Sequence, residues 1–264
     1  MTSGIDLGIA GRRAIVCGSS AGLGYACAAA LAGAGAEVVL NGRDAARLDA
    51  AADRLAADSG RRPLAVASDV TTAEGRAALV EVAGGGCDIL VTNAGGPPPG
   101  DFREFDEEAW LAAFNTNAVS AIMLIRSLID GMIARRWGRI INITSAAVKQ
   151  PRSALPLSNT ARSGLTAFAA GLARQVAEHG VTVNNLLPGS FATHRLRGYA
   201  ERLARQKGTS LAEEIALMAA ESPTGQIGDP ADFGAWCAFF ASDRAGYVTG
   251  QNLLLDGGAY PGML

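Results

Sequence analysis

The first residues whose types and spacing suggest chemistry are Gly18-Ser19-Ser20-Ala21-Gly22-Leu23-Gly24. Glycines spaced in this way let a backbone turn tightly and approach a pyrophosphate, whose charge the free N–H groups of a following helix stabilise. The same letters spell G-x-S-x-G around Ser20, the pattern of a hydrolase nucleophile elbow, with later acidic residues and then His194 in triad order. An elbow follows several strands, whereas only one strand candidate precedes Ser20. The two histidines, His179 and His194, belong to no metal-ligand spacing, so no metal site is expected. Four scattered cysteines, Cys17, Cys27, Cys87 and Cys237, lie in apolar or small-residue surroundings and read as buried thiols in a reducing compartment.

A glycine turn of this kind needs a strand before it and a helix after it, and the chain supplies both. Short β-branched runs at Ala14–Cys17, Glu37–Asn41, Leu64–Ala67, Ile89–Thr92, Arg139–Thr144, Thr182–Leu187 and Asn252–Leu255 alternate with stretches of helical period. The helices are expected near 22–34, 44–58, 71–83, 106–135, 157–179 and 229–241. Seven strands separated by helices, several apolar almost throughout, predict an α/β fold with a parallel sheet buried on both faces. The pattern has no linker, so residues 1–264 read as one domain. Only 194–226 departs from it, as an Arg-rich, loosely helical and irregular insertion placed where either a substrate lid or a plain surface excursion would lie.

Composition narrows the function. The chain has 264 residues, 23 Lys+Arg against 25 Asp+Glu and 6% aromatics, which leaves no electrostatic or stacking footprint for nucleic acid. The chargeless stretch after Arg12-Arg13 is too rich in Gly, Ser and Ala for a targeting segment, and Arg126 and Asp130 interrupt the apolar Ala118–Ile133 run short of a membrane span. A soluble cytoplasmic protein with no membrane partner is the expectation.

Taken together, the ordered motifs resemble the short-chain dehydrogenase/reductase family over residues 7–258, and in overall pattern its ketoreductases of the acyl-carrier type. Gly18-x-x-x-Gly22-x-Gly24 is similar to its cofactor turn, with Cys17 where threonine is usual, and Ser20 and Leu23 lie within it. Asp69-Val70 resembles its adenine-contacting pair and Asn93-Ala94-Gly95 its N-A-G motif. Asn117 resembles its helix asparagine and Ser145 its active-site serine. Asn184, Pro188-Gly189 and Thr193 resemble the segment that frames the nicotinamide, while Tyr247–Gly250 and Asp256–Gly258 resemble its closing segment. The resemblance implies a Rossmann-type doubly wound sheet, a nicotinamide cofactor, a small carbonyl or alcohol substrate, and a homotetramer formed through the 106–135 and 157–179 helices and the C-terminal segment.

Sites that prefer NAD place a carboxylate at the end of strand two, and sites that prefer NADP supply a cation there. This chain reads Leu40-Asn41-Gly42-Arg43, with glycine at the acidic position and a guanidinium beside it, so NADP(H) is expected over NAD.

The departure lies at the catalytic pair. Active members carry tyrosine thirteen residues after the serine and lysine four further on, whereas here those places hold Ser158 and Arg162. The i, i+4 spacing keeps both side chains on one helix face. An aliphatic hydroxyl is a far weaker acid than a phenol, and an arginine does not ordinarily pass a proton. His194 is the substitute acid that its ordinary pKa suggests, and Lys149 and Arg152 are expected to rim the pocket. Two main expectations follow: an NADP(H)-dependent oxidoreductase with altered acid–base chemistry, and a nucleotide-binding protein that has lost turnover. A third is a non-redox enzyme in which Ser145, Ser158 and Arg162 bind an oxyanion.

Overall fold

The computed structural model describes residues 5–84 and 86–263, so Met1–Gly4, Gly85 and Leu264 of the expected domain lie outside the described residues. The strands are β1 (Arg13–Val16), β2 (Glu37–Gly42), β3 (Leu64–Ala67), β4 (Ile89–Thr92), β5 (Gly138–Ile143), β6 (Val181–Pro188) and β7 (Asn252–Leu255). They form one parallel sheet in the order β3-β2-β1-β4-β5-β6-β7. The expected Rossmann-type topology is therefore present. Winding reverses between β1 and β4, which opens a crevice at the carboxyl ends of the strands, the usual ligand position in such sheets.

Period-2 alternation divides the core. Ala14 and Val16 of β1, with Ile89 and Val91 of β4, face one layer, packed by α1 (Gly22–Gly33), α2 (Ala45–Ser59) and α9 (Pro230–Phe240). Ile15 and Leu90 face the opposite layer, covered by α3 (Ala73–Val82), α5 (Ser120–Ala134) and α6 (Pro156–Val176). Alternate residues thus serve two cores, which is why these strands are apolar on both faces.

Two expectations need correction. The 106–135 helix is not uniform: α4 (Glu107–Phe114) joins α5 through a π turn at Asn115–Val119. The continuous Glu107–Ala134 rod has 28 residues and is long and apolar enough to cross a bilayer by length and composition alone. Its stripe of Leu124, Ile125, Leu128 and Met132 is buried in the core of this fold. The 194–226 segment, expected to be irregular, forms two capped helices, α7 (His194–Lys207) and α8 (Leu211–Ala220). Thr193 caps α7, and Ser210 with Glu213 forms a reciprocal capping box on α8. Buried Glu214 accepts from Thr209 Oγ1 at 2.7 Å and from Lys207 Nζ at 2.9 Å, tying the two helices together.

One polar row crosses the apolar sheet. Thr92, Asn142, Asn185 and Asn252 occupy facing register positions on β4, β5, β6 and β7. Thr92 Oγ1 donates to Asn142 Oδ1 at 2.7 Å, Asn142 Nδ2 to Asn185 Oδ1 at 2.9 Å, and Asn185 Nδ2 to Asn252 Oδ1 at 2.7 Å. The row lies just below the strand ends that carry the site.

Candidate active site

The glycine turn is built by close backbone contacts. Gly18 takes φ +57°, a left-handed conformation that suits glycine, and Asn93 Nδ2 donates to its carbonyl at 3.2 Å. A Cβ at Gly24 would collide with that same carbonyl, so strand end and helix start pack backbone to backbone. Buried Ser19 ties the turn to β2: its Oγ donates to Val16 O at 2.8 Å and accepts from Asn41 N at 3.0 Å. Unlike α2, α3, α4, α7, α8 and α9, helix α1 has no side-chain cap, and its first turn holds no acidic residue. Its N–H groups and dipole are left for an anion. Thr193 closes over this turn, its Cγ2 3.5 Å from where a Cβ of Gly22 would stand.

At the end of β2 the carboxamide of Asn41 turns inward, donating to Val66 O and Ser68 O at 3.1 and 3.2 Å, so it secures the β2–β3 edge. A Cβ at Gly42 would lie 3.6 Å from Ser20 Oγ, which places that hydroxyl beside the strand end and the exposed Arg43. Asp69 accepts from Thr71 N at 2.9 Å and Thr71 Oγ1 at 2.8 Å; that backbone hydrogen bond first, and then the Thr71 hydroxyl and the Arg43 charge, hold its carboxyl below the usual range against the opposing effect of burial. Val70 lines the interior pocket described next.

The catalytic-end residues converge. Ser158 and Arg162 share the buried face of α6, as the i, i+4 spacing requires. Arg162 Nη1 donates to Ile143 O at 2.9 Å and Thr144 O at 2.6 Å, and Nη2 reaches Ala94 O at 3.5 Å. Ser145, half-buried, caps a short 3₁₀ turn by accepting from Ala147 N at 3.1 Å. Burial, and then the charge of Arg195, pushes Arg162 down to about 10, so it is less fixedly cationic than its residue type implies. In the π turn, Asn117 Nδ2 donates to Ala113 O at 3.2 Å, while its buried Oδ1 has no partner among the described residues. A cavity of about 10 Å³, room for about one water, adjoins Cys17, Thr92, Asn93, Asn117 and Arg162.

Comparison with known proteins gives this geometry a family. The family described as Enoyl-(Acyl carrier protein) reductase matches residues 18–260. The 3-oxoacyl-[acyl-carrier-protein] reductase FabG of Vibrio cholerae is 32% identical over 96% of this chain and 99% of its own length. The L-sorbose reductase of Gluconobacter frateurii, solved with NADPH and L-sorbose, superimposes with a TM-score of 0.93 at 34% identity, covering 98% of this chain and 100% of its own. YwfH, an NADPH-dependent reductase involved in bacilysin biosynthesis, superimposes at 0.90 with 28% identity, covering 96% and 100% of the two chains. The chain belongs to the short-chain dehydrogenase/reductase family.

In this short-chain dehydrogenase/reductase several side chains stand differently from expectation. His194 is exposed on the first turn of α7; its neighbour Arg195 is the residue whose guanidinium reaches the cleft, packed on Gly96 where a Cβ would collide with it. Arg195 drew no attention in the sequence because only the helix orientation aims it inward. Its placement directly after Thr193-His194 was the one available signal. Arg152 pairs with Glu221 at 2.8 Å, and Lys149 sits 5.9 Å over the Tyr260 ring, so each already has a protein partner. A Cβ at Gly95 would meet open space, whereas one at Gly189 would press on Asp256 Cα at 2.8 Å. Pro188 and Gly189 therefore lie where β6 and the segment after β7 meet.

Proposed function

We propose that this chain is an NADP(H)-dependent oxidoreductase acting on a small carbonyl or alcohol substrate, with proton handling that departs from the tyrosine–lysine pattern. The observation that carries the reading is the β2 end, where Gly42 leaves Ser20 Oγ and Arg43 together beside the uncapped helix α1. That environment suits a 2′-phosphate, and the last residue of β2 is a glycine rather than the carboxylate that holds a 2′-hydroxyl. Two similar structures contain or are named for NADPH, which supports the same cofactor.

On this reading Gly18, Ser20, Gly22, Leu23 and Gly24 hold the pyrophosphate and Arg43 forms the phosphate edge, while Asn41, expected from the sequence to touch the cofactor, is buried with its carboxamide turned to Val66 and Ser68 and only braces the strand behind it. Asp69 and Val70 border the adenine, while Asn93, Ala94, Gly95, Pro188, Gly189 and Thr193 line the path to the nicotinamide. A bound nicotinamide supplies or accepts the hydride. Ser145 orients the substrate oxygen, and the buried Arg162 cation stabilises charge that develops on it. Ser158 is too short to reach where a phenol would, which leaves space for water or for substrate. Asn117 lines the same small cavity as Arg162, and its unpartnered Oδ1 is the acceptor that would hold that water. Helices α7 and α8 form the lid. The further expectations of a homotetramer and a cytoplasmic location fit this reading, and sedimentation equilibrium tests the first.

A second reading keeps the cofactor and drops turnover, because both Nη1 hydrogens of Arg162 are already committed to carbonyls. One set of measurements separates the two. Protein fluorescence titration should show NADPH binding tighter than NADH binding. NADPH oxidation should then follow on adding ketones, diketones or β-ketoesters, and should fall in Ser145→Ala. Binding without oxidation across that panel, with Ser145→Ala indistinguishable from wild type, selects the second reading.

A further inference from the structure

Two guanidinium groups border one short loop. Arg162, from α6, reaches the carbonyl of Ala94, and Arg195, from the first turn of α7, packs against Gly96 two residues on. Neither forms an ion pair among the described residues, whereas Arg152 and Arg197 each have a carboxylate partner. Arg195 also makes no hydrogen bond among the described residues, so its planar fork of donors is uncommitted. Burial, and then the charge of Arg195, holds Arg162 below the ordinary arginine range; Arg195 is exposed as a residue, and partial desolvation of its guanidinium against the loop shifts it in the same direction. A buried cation with a second cation near it and no counter-ion opposes folding, and a bound anion relieves that opposition.

A substrate carboxylate and a cofactor pyrophosphate offer the same oxyanion chemistry, and position decides between them. The phosphate turn is served by the uncapped α1, and the residue of the α7 start that lies over it is Thr193, not Arg195. Arg162 is fastened to Thr144, immediately before Ser145, and so stands at the end of the cleft where the substrate must sit. We propose that Arg162 and Arg195 form a receptor for a carboxylate carried by the substrate, so that oxo or hydroxy acids are preferred over neutral ketones and sugars. The inference rests on the nicotinamide-dependent reading of the cleft. The guanidinium fork of Arg195 matches a carboxylate in two-pronged geometry, and Arg162 supplies the buried field beneath it. Since Arg195 rides on α7, the acid would also draw the lid helix onto the Ala94–Gly96 loop.

The test uses calorimetric titration of wild-type, Arg195→Met and Arg195→Lys proteins, with circular dichroism as a check on folding. Each is titrated with NADP⁺, and then, both free and loaded with NADP⁺ so that no hydride can transfer, with pyruvate, acetoacetate and levulinate and their methyl esters. At least one acid should bind wild type about tenfold or more tightly than its ester. That preference should vanish in Arg195→Met and return in part in Arg195→Lys, with NADP⁺ affinity held within about twofold. Acids binding no better than esters would overturn the proposal. So would Arg195→Met weakening NADP⁺ as strongly as the acids, which would assign the guanidinium to the pyrophosphate. Failure of wild type to bind NADP⁺ while it still prefers the acids would sink the cofactor reading and leave the carboxylate receptor standing.

Discussion

Arg162 Nη1 donates at 2.6 Å to the carbonyl of Thr144, the residue that precedes Ser145. The residue standing in the lysine register of α6 is therefore fastened to the strand end that presents the serine. Helix and strand position the two groups as one unit, and a substitution at Arg162 is felt at Ser145.

Lysine has one compact ammonium and cannot reproduce a planar fork shared among three carbonyls. Arg162→Lys alone should lower stability by about 1–3 kcal/mol and slow NADPH oxidation. Ser158→Tyr with Arg162→Lys restores a phenol beside an ammonium, and should raise reduction of a neutral ketone by about 10²-fold or more. Stopped NADPH absorbance assays on the three proteins check this. A double variant no faster than Arg162→Lys would mean that more than the acid–base pair is missing.

Gly42→Asp should exchange the cofactors. The new Cβ meets Leu48 and Ser20 at ordinary contact distances of 3.4 and 3.5 Å, so the side chain fits without displacing backbone. Its carboxylate repels a 2′-phosphate and accepts from a 2′-hydroxyl. NADPH should bind about tenfold more weakly and NADH more tightly, as read by fluorescence titration. Unchanged selectivity would place the 2′-phosphate elsewhere.

Alkali should weaken carboxylate binding through Arg162. Burial, and then the charge of Arg195, pushes Arg162 down from the ordinary arginine range to about 10, so the protonated form is disfavoured by folding. The resulting cost to stability is fully present below about 10 and disappears as pH rises from there toward the ordinary arginine range. Anion binding runs in the opposite sense because it needs the proton: affinity for the acid probes should be level from about pH 7 to 9 and decline through about 10. Calorimetry at two pH values on either side of that point gives the answer, with Arg195→Met as the control for general electrostatics.

The cysteines should be silent in the native protein. Cys17, Cys27, Cys87 and Cys237 are all buried, and burial lifts Cys17 and Cys87 to about 12 and Cys27 well upward. Ellman's reagent should find no fast thiol before unfolding and four after it in guanidinium chloride. A fast native thiol would show that the Cys17 side of the cleft opens in solution.

Asn142→Leu should be costly although the shapes are similar. It leaves the Thr92 hydroxyl and the Asn185 carbonyl oxygen buried without their partners, which amounts to about 2–4 kcal/mol. For a chain of this size that is a fall in Tm of about 4–15 °C, measurable by thermal denaturation. Little or no change would mean that water takes the place of the carboxamide.

The strands and the glycine turn were legible because their signals are local: β-branched runs of period two, and glycines set directly after the first of them. Every strand end falls within one residue of its expected place. The capping box at Ser210 and Glu213 was visible as S-x-x-E and marks α8, yet the surrounding arginines made the segment read as loose. The π turn was not legible, because Asn117 sits in a run whose composition is helical throughout; the back-bond from Asn117 to Ala113 becomes evident only in three dimensions. Arg195 was missed for a similar reason. Its role depends on where α7 begins and which way its first turn faces, and neither is written in residue spacing.

The row from Thr92 to Asn252 also bears on how the sheet closes. Its four members are separated by 50, 43 and 67 residues in the chain, so each link awaits the arrival of a distant strand. Sliding β5, β6 or β7 by a single position would turn an amide out of line and strand its neighbours in an apolar layer, a penalty that an all-aliphatic sheet would not impose. The row thus works as a proofreading device. Misaligned pairings are rejected at the same level of the sheet that supports Ser145, and the last strand, although at the edge, completes the hydrogen bonding of the three that came before it.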